Sequence, residues 1–392
     1  MKKYDVAVVG AGPVGSTFAR YIADEGFKVL MLERKREVGV PLQCAGLLGK
    51  KIKDLNIIPD EYILNKVYGA YLHSPSDTIL EVGRNDPEAY VIDRVGYDKF
   101  LAEKAVDAGA ELLLNHRVNA LNIEKGEIRA GNNVDKCFKA EVIVGADGHS
   151  SMVSNEFNPH SKTVMAAQYL LDMKGDVFDT DHVHLHVNSF ISPGFIWIIP
   201  VSRSMARVGL FANMDYTGLN TVLKEFMHSN STFKNASILK KYHGFIPIYS
   251  PKKNIVNGRA ILLGDAASQI KPTTGGGLML GFECAKIAAE TVSRAIKKND
   301  HILLHEYEEE YQRRFRSELK IQMEVQRIFK SLTNEDLDQM FLKLKEGNAE
   351  ELISKYGDMD TQSTIIKEMI KNRLLFSIVP RLLTRRIGSL WK

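Results

Sequence analysis

The chain has 392 residues, 44% of them hydrophobic and 26% charged, with a formal net charge of +4. This length can bury a sizeable core and predicts more than one domain. No run of about 18 uncharged apolar residues occurs, which excludes a transmembrane helix, and no motif indicates a nucleic-acid partner. The cysteines, Cys44, Cys137 and Cys284, do not form a disulfide framework and favour an intracellular protein.

The amino-terminal segment has the pattern of a dinucleotide-binding unit. Residues 4–9 are typical of a buried parallel strand and lead into Gly10-Ala11-Gly12-Pro13-Val14-Gly15, which has the G-x-G-x-x-G spacing. Its glycines permit a tight turn, close approach to a pyrophosphate and close packing of the helix predicted over about 13–25. A second strand ends at Glu33, a carboxylate placed to bind a ribose diol. This pattern leaves FAD and NAD as alternatives.

Two later strands each end in an aspartate beside a glycine. One closes on Gly145-Ala146-Asp147-Gly148, and the other closes on Gly264-Asp265. Ligands bind at the carboxyl ends of strands in α/β folds, and Asp265 is a candidate to hold a ribityl chain. The helix that opens near Gly277 and Leu278 offers unpaired N–H groups and a positive dipole to the N1/O2 edge of a reduced flavin.

The order and separation of the G-x-G-x-x-G, A-D-G and G-D-A elements resemble the para-hydroxybenzoate-hydroxylase class of flavoproteins. The resemblance covers roughly residues 1–300. It implies that FAD is the cofactor, that Asp147 lies near it and that Asp265 contacts it directly.

Two further cofactor contacts are implied by the same resemblance. Residues 92–100 are similar to the D-R-x-x-F-D stretch of the class, which assigns Arg94 to FAD. An ion pair between Arg94 and Asp98 at the start of a helix is the alternative. Val118 matches the position whose backbone meets the adenine.

The rest of the chain predicts a separate substrate-binding sheet and a helical end. Alternating, aromatic-bearing segments predict an antiparallel sheet that covers the flavin. The expected fold class is α/β (α+β overall): a Rossmann-like FAD-binding domain with an inserted antiparallel β-sheet substrate domain and a C-terminal helical region. The predicted ranges are 1–60, 92–160 and 255–300 for the FAD domain, 61–91 and 161–254 for the sheet domain, and 301–392 for the helices.

The segment Pro193-Gly-Phe-Ile-Trp-Ile-Ile-Pro200 narrows the family. It is similar to the P-G-Y-x-W-x-F-P signature of the geranylgeranyl reductase family, with Phe195 and Ile199 as the departures. It is also close to the W-x-W-x-I-P signature of flavin-dependent halogenases. The motif alone therefore leaves a reductase and a halogenase open.

Other features favour the reductase. The loop Pro41-Leu-Gln-Cys44-Ala45-Gly46-Leu47 resembles the cysteine–glycine loop that lies against the flavin in geranylgeranyl reductases, and the chain length suits archaeal members. The resemblance implies an FAD-dependent reductase that saturates C=C bonds of geranylgeranyl chains in archaeal ether-lipid precursors such as digeranylgeranylglycerophospholipid. The alternatives are a monooxygenase or halogenase acting on an aromatic substrate, and a flavin-bearing binding or scaffold protein.

This substrate would dictate the chemistry of the site. Isolated trisubstituted alkenes lack an activating carbonyl, so hydride from flavin N5 and a proton must arrive at the two alkene carbons. Many C5 units call for a long apolar channel, whose wall we assign to Phe195, Trp197 and Pro200. Cys44 is the nearest candidate catalytic acid, with a flavin-contact or packing role as the alternative. Nothing indicates a nicotinamide site, so the electron donor (nicotinamide, ferredoxin or another reductant) stays open.

Two patterns suggest other chemistry. His182-Val-His184-Leu-His186 places three imidazoles on one strand face, but no second ligand segment is evident, so we expect a polar strand face and no metal. A reversible redox pair between Cys44 and Cys284 is conceivable.

The carboxyl-terminal tail is basic and apolar. From residue 361 onwards seven basic residues stand against Glu368, a net charge of +6. Such a tail suits an anionic membrane surface and predicts a peripheral protein on the cytoplasmic face. A solvated amphipathic helix packed on its own protein is the alternative. The basic residues are Lys367, Lys371, Arg373, Arg381, Arg385, Arg386 and Lys392.

Overall fold

The structure is a computed structural model that describes residues 1–374. The strands are β1 (Lys2–Val9), β2 (Val29–Leu32), β3 (Leu47–Gly49), β4 (Ile63–Val67), β5 (Gly69–His73), β6 (Ile79–Gly83), β7 (Ala89–Ile92), β8 (Glu111–Leu113), β9 (Val118–Asn122), β10 (Glu127–Ala130), β11 (Lys136–Gly145), β12 (Thr163–Asp172), β13 (His182–His186), β14 (Ile196–Pro200), β15 (Met205–Ala212), β16 (Ser237–Pro247), β17 (Val256–Asn257) and β18 (Ala260–Leu262). The helices are α1 (Pro13–Asp24), α2 (Ile52–Leu55), α3 (Arg94–Asp107), α4 (Met152–Asn155), α5 (Tyr216–Ser229), α6 (Leu278–Lys298), α7 (His305–Phe329), α8 (Asn334–Glu346), α9 (Ala349–Tyr356) and α10 (Ser363–Lys371).

An eight-stranded sheet carries the glycine loop. Its main order is β17-β18-β11-β1-β2-β8, and β1 pairs in parallel with both β2 and β11. The chain passes from β1 to β2 on one side, whereas the later strands β11 and β18 lie on the other side. The strand order therefore reverses at the carboxyl end of β1, which is where α/β sheets bind ligands.

Helices α1, α3 and α6 pack together on this sheet, with α1 in contact with both of the others. Phe18 and Ile22 of α1 are fully buried against the apolar residues of strands β1 and β2. Each such side chain contributes roughly 1.5–3 kcal/mol through its removal from water. This burial fixes the amino end of α1 beneath the glycine loop.

A seven-stranded sheet has the order β16-β12-β15-β14-β13-β5-β6. Its pairs are antiparallel except for the parallel pair β5 and β13. Helix α5 covers one face, where Tyr169, Leu210 and Leu219 are fully buried. The other face carries Trp197, Ile199 and Phe211, which belong to a separate apolar cluster.

A three-stranded sheet, β3-β7-β4, joins the two larger sheets. Because it takes strands from both sides of the predicted boundaries, the exact division into domains stays a prediction. The predicted fold class itself is confirmed: a parallel Rossmann-like sheet, a separate mainly antiparallel sheet and carboxyl-terminal helices.

Helices α7 to α10 form the carboxyl-terminal part of the described chain. Thr333 caps α8, and a capping box links it to Asp336. Leu337 and Phe341 of α8 pack on Leu80 of β6, so the helices dock on the seven-stranded sheet.

Part of the basic tail lies outside the described residues, namely Arg381, Arg385, Arg386 and Lys392. Within residues 1–374, no helix combines the length and the apolar character needed to span a bilayer.

Candidate active site

The glycine loop is tightly packed on one side and open on the other. Gly10 has φ +98°, and a Cβ there would lie 2.4 Å from the Ala146 carbonyl oxygen. A Cβ on Gly15 would lie 2.3 Å from the Gly10 oxygen, whereas a Cβ on Gly12 would meet nothing within 4 Å. No side chain caps α1 at Gly12, so its first N–H groups face this open side. The geometry fits a pyrophosphate at the amino end of α1.

Glu33 holds the loop in this conformation. Its Oε2 accepts a hydrogen bond from the Ala11 N–H over 3.0 Å, and Oε1 accepts one from the Lys35 N–H over 3.0 Å. Each carboxylate oxygen has a further lone pair that can accept a ligand hydroxyl. The ribose contact of Glu33 stays a prediction. The structure adds a second role, the support of the glycine loop, which the sequence did not indicate.

Asp147 and Asp265 are partly buried carboxylates at the ends of β11 and β18. Asp147 Oδ2 accepts a hydrogen bond from the Met152 N–H over 2.7 Å, while its buried Oδ1 has no partner among the described residues. Burial raises the pKa of Asp265 to about 6, although Arg94 acts in the opposite direction. A Cβ on Gly277 would lie 3.3 Å from Asp265 Oδ1. Asp265, beside the uncapped start of α6, fits a ligand rich in hydroxyl groups.

Arg94 forms the ion pair that the sequence left as an alternative. Its Nε and Nη2 donate to Asp98 over 2.9 and 3.0 Å, and both side chains are buried. Burial opposes the charge, but Asp98 and then Cys44 raise the pKa of Arg94. The contact of Arg94 with the cofactor stays a prediction.

Arg207 fixes the Cys44 loop, and sequence reasoning missed it. Its Nη1 donates to the Ala45 oxygen over 2.7 Å, and both Nη atoms donate to the Ile92 oxygen over 3.2 Å. Gly46 has φ +75°, and a Cβ there would lie 2.1 Å from Arg207 Nη1. The Gly46 N–H in turn donates to Cys44 Sγ over 3.4 Å. The only sequence signal for this role was one arginine inside the otherwise apolar strand β15.

The remaining predicted residues fall into two groups. Phe195 makes edge contacts with Trp197 and Phe211, with ring centroids 6.1 and 5.2 Å apart. Pro200 ends β14 and does not line the cavity described below; its carbonyl accepts a hydrogen bond from Asn65 over 3.0 Å. The others lie in the FAD-binding region: Val14 packs on Gly264 and Gly281, Val118 is buried in β9, and Leu278 begins α6.

A cavity of about 760 Å³ runs from the Cys44 loop to the carboxyl-terminal helices. Residues 43–47 and the glycine run 274–276 form one end. The seven-stranded sheet and helices α7 to α10 form its walls with mostly apolar side chains, which include Phe195, Trp197, Phe211, Val325, Phe341 and Met369. An apolar cavity is thus present beside the predicted cofactor-binding elements, and its use as a substrate channel stays a prediction.

One buried ion pair lies in the wall of this cavity. Lys271 Nζ donates to Asp360 Oδ1 over 2.7 Å and to the Met359 oxygen over 2.8 Å. Both charged side chains are about nine-tenths buried, at 10% and 12% exposure. The pair ties the start of the glycine run to the segment between α9 and α10.

Cys44 and Cys284 are free thiols in different surroundings. Cys44 lines the cavity, whereas Cys284 is fully buried in the core of the eight-stranded sheet, where burial raises its pKa. A redox pair between them stays a prediction.

Comparison with known proteins identifies the family. A family model described as lycopene cyclase protein matches residues 5–363. A digeranylgeranylglycerophospholipid reductase of Methanococcoides burtonii is 32% identical and covers 88% of both chains. One from Methanosarcina acetivorans is also 32% identical, over 88% of this chain and 89% of its own. The chain belongs to the geranylgeranyl reductase family. The family expected from the loop and the 193–200 motif is confirmed.

Solved structures agree with this family. The crystal structure of a geranylgeranyl bacteriochlorophyll reductase-like protein from Thermoplasma acidophilum matches with a TM-score of 0.86 and 25% identity over 100% of both chains. A flavin-dependent brominase matches with a TM-score of 0.70 and 19% identity, over 95% of this chain and 99% of its own, which shows the shared fold alone. As a family member the protein is an FAD-dependent oxidoreductase, as the sequence predicted.

Proposed function

We propose that the protein reduces C=C bonds of geranylgeranyl chains in ether-lipid precursors, with digeranylgeranylglycerophospholipid as the substrate class. The observation that carries this proposal is the apolar cavity of about 760 Å³ that begins at the Cys44 loop and the glycine run before α6. The names of the relatives support the same substrate.

An apolar channel suits a substrate that must move. Burial stabilises a hydrocarbon chain by roughly 0.8 kcal/mol per CH₂ and has no preferred direction. A geranylgeranyl chain can therefore slide by one C5 unit and keep almost all of its contacts. Successive double bonds would reach the same reactive position without a rebuilt set of hydrogen bonds.

The cofactor is proposed to extend from the glycine loop to the start of α6. Gly10, Gly12 and Gly15 would hold the pyrophosphate with the first N–H groups of α1, and Glu33 would bind the ribose. Asp265 and the residues that open α6 would meet the ribityl chain and the flavin. The backbone of Val118 would meet the adenine, and Arg94, Asp147 and the loop residues Cys44, Ala45 and Leu47 would complete the site.

Bound reduced FAD supplies a hydride to one alkene carbon. The apolar walls exclude water, and Trp197 and Phe195 limit where the alkene lies. Cys44 is proposed as the source of the proton for the second alkene carbon, since its thiol lines the cavity end nearest the cofactor residues. A simple contact with the flavin is the alternative for this side chain.

The substrate also implies a membrane surface as the partner. A glycerophospholipid is drawn from a bilayer, so we propose peripheral binding on the cytoplasmic face. Lys367 and Lys371 on α10 would belong to the basic surface that meets the bilayer.

The test is anaerobic reduction. The FAD-loaded protein is reduced with dithionite and geranylgeranylated glycerolipid is added. The molecular mass of the lipid is then measured by mass spectrometry. We expect a gain of two hydrogens per saturated bond without consumption of oxygen. An unchanged lipid, together with oxygen-dependent hydroxylation or halogenation of an aromatic compound, would contradict the proposal.

A halogenase is the second candidate because flavin-dependent halogenases share the fold. Such an enzyme needs a free lysine between flavin and substrate. Lys271 lines the cavity, but Asp360 and the Met359 carbonyl bind its ammonium group. This pairing favours the reductase.

A further inference from the structure

Two histidines from distant segments meet on the sheet face opposite the cavity. The parallel pair β5 and β13 sets His73 beside His186, and their rings stack with centroids 3.9 Å apart and an interplanar angle of 17°. Because side chains alternate along a strand, Leu72 and Leu185 face the cavity while the imidazoles face α5. The edge contact of His186 with Phe226 of α5, at 4.9 Å, agrees with this orientation.

A carboxylate from the following turn completes the group. Asp77 has φ +63°, and its Oδ1 lies 2.6 Å from His73 Nδ1. One ligand atom from each of His73, Asp77 and His186 lies within 4.8 Å of the other two. Two imidazoles and one carboxylate form a donor set common at divalent transition metals.

One imidazole nitrogen of this group is buried and unpartnered. His186 Nε2 is buried and has no hydrogen-bond partner among residues 1–374. A buried polar atom without a partner costs about 1–3 kcal/mol, and a bound ion removes that cost.

We propose that His73, Asp77 and His186 bind a divalent transition-metal ion of the zinc type, a site independent of the reductase chemistry. Water completes the coordination, because His184 Nδ1 lies 3.1 Å from His73 Nε2, on the side of the ring that faces away from Asp77. The second ligand segment, which the sequence did not reveal, comes from β5 and its turn. This site replaces the plain polar strand face expected from the sequence.

Metal binding requires the ligands to rearrange. Two ligands of a tetrahedral Zn²⁺ with bonds of about 2.0–2.1 Å lie roughly 3.3 Å apart. Asp77 must therefore retreat slightly from His73, and its side chain is free to do so at 72% exposure. The rings of His73 and His186 must also rotate out of their parallel stack, because the lone pair of an imidazole lies in its ring plane and both lone pairs have to point at one ion.

The proposed role of the ion is structural. Asp338 of α8 already binds this turn, through Ser74 Oγ at 2.5 Å and Ser76 N at 2.8 Å. An ion at His73 and Asp77 would join the turn to β13 as well. It would stiffen the part of the sheet whose other face forms the cavity wall.

The experiment uses the full-length, FAD-loaded protein after dialysis against a chelator. Isothermal titration calorimetry measures the affinity and stoichiometry of Zn²⁺ binding, and inductively coupled plasma mass spectrometry measures the metal that the protein retains. The absorption spectrum of bound Co²⁺ reports the coordination geometry. We expect one equivalent of Zn²⁺, a tetrahedral Co²⁺ spectrum and a rise in Tm on binding.

Variants locate the site. D77N changes an exposed side chain and H186A removes a ligand, and both are expected to weaken Zn²⁺ binding at least about ten-fold and to abolish the rise in Tm. H228A removes an exposed histidine of α5 and is expected to bind like the wild type. FAD content and circular dichroism verify the fold of each variant. Absence of stoichiometric zinc in the wild type, or equal affinity in D77N and the wild type, would overturn the proposal.

Discussion

Trp197 donates its indole N–H to Gln168 Oε1 over 2.9 Å, and both side chains are buried in the cavity wall. The Nε2 of Gln168 reaches the Cys44 carbonyl at 3.5 Å. The aromatic motif of β14 and the cysteine loop, which the sequence presented as separate signatures of one family, are thus parts of one hydrogen-bonded wall. Their coupling explains why both lie at the same end of the channel.

The first prediction concerns this pair. W197F leaves Gln168 Oε1 buried without a partner, so we expect the free energy of unfolding to fall by about 1–3 kcal/mol. Urea denaturation of the FAD-loaded protein measures it. The double variant W197F/Q168L removes both polar groups and is expected to recover most of the loss. Equal destabilisation in the single and double variants would mean that lost packing of the indole ring, and not the lost hydrogen bond, causes most of the fall in unfolding free energy.

The second prediction separates backbone strain from a steric clash at the cysteine loop. G46A places a Cβ 2.1 Å from Arg207 Nη1 at a φ of +75°. G26A is the matched control, because Gly26 has φ +85° and nothing within 4 Å of its added Cβ. We expect G26A to cost about 1 kcal/mol of unfolding free energy and G46A to cost clearly more. Lipid reduction should fall in G46A alone. Equal losses of stability and of lipid reduction in G46A and G26A would refute the proposal that Arg207 holds the Cys44 loop in place.

The third prediction is a pH dependence of the FAD-free protein. Burial raises the folded-state pKa of Asp265 to about 6 from 3.8, so folding favours the protonated acid. The stability that this group contributes is full below its ordinary pKa and is lost as pH rises through about 6. D265N does not ionise, so it is expected to be more stable than the wild type by about 3 kcal/mol at pH 7 and similar near pH 4.

Urea unfolding across pH 4–7 measures this difference, with D24N as the control at an exposed carboxylate. A D265N advantage that does not shrink on acidification would contradict the assignment. The same variant is expected to bind FAD about ten-fold more weakly, because the proposed contact with the ribityl hydroxyls loses its charge.

The fourth prediction tests Cys44. If its thiol delivers the proton, C44A lowers the rate of lipid reduction by about 10²-fold or more while FAD binding is retained. The matched control is C137A, because Cys137 is an exposed cysteine of β11. Turnover is followed as lipid mass under anaerobic conditions with dithionite. Equal turnover in C44A and C137A would leave Cys44 with a packing or flavin-contact role.

The sequence by itself determined the cofactor class and the family. The glycine loop, Glu33, Asp147 and Asp265 are recognisable because each depends on local backbone geometry at the end of one strand. The structural requirement behind such a motif is local, for example the positive φ of Gly10 or the uncapped amino end of α1, so it can be read from neighbouring residues. Cys44 and Trp197 were likewise visible in short signatures, and so was the fold class.

Only the tertiary structure decided which distant side chains meet. Arg207 on β15 binds the Cys44 loop, Lys271 pairs with Asp360, and His73 lies beside His186. No local pattern marks these pairs, since each depends on sheet register or helix docking between segments far apart in the chain. Pro200 does not line the cavity that its motif suggested, because side chains alternate along β14 and Trp197 and Ile199 face the channel instead.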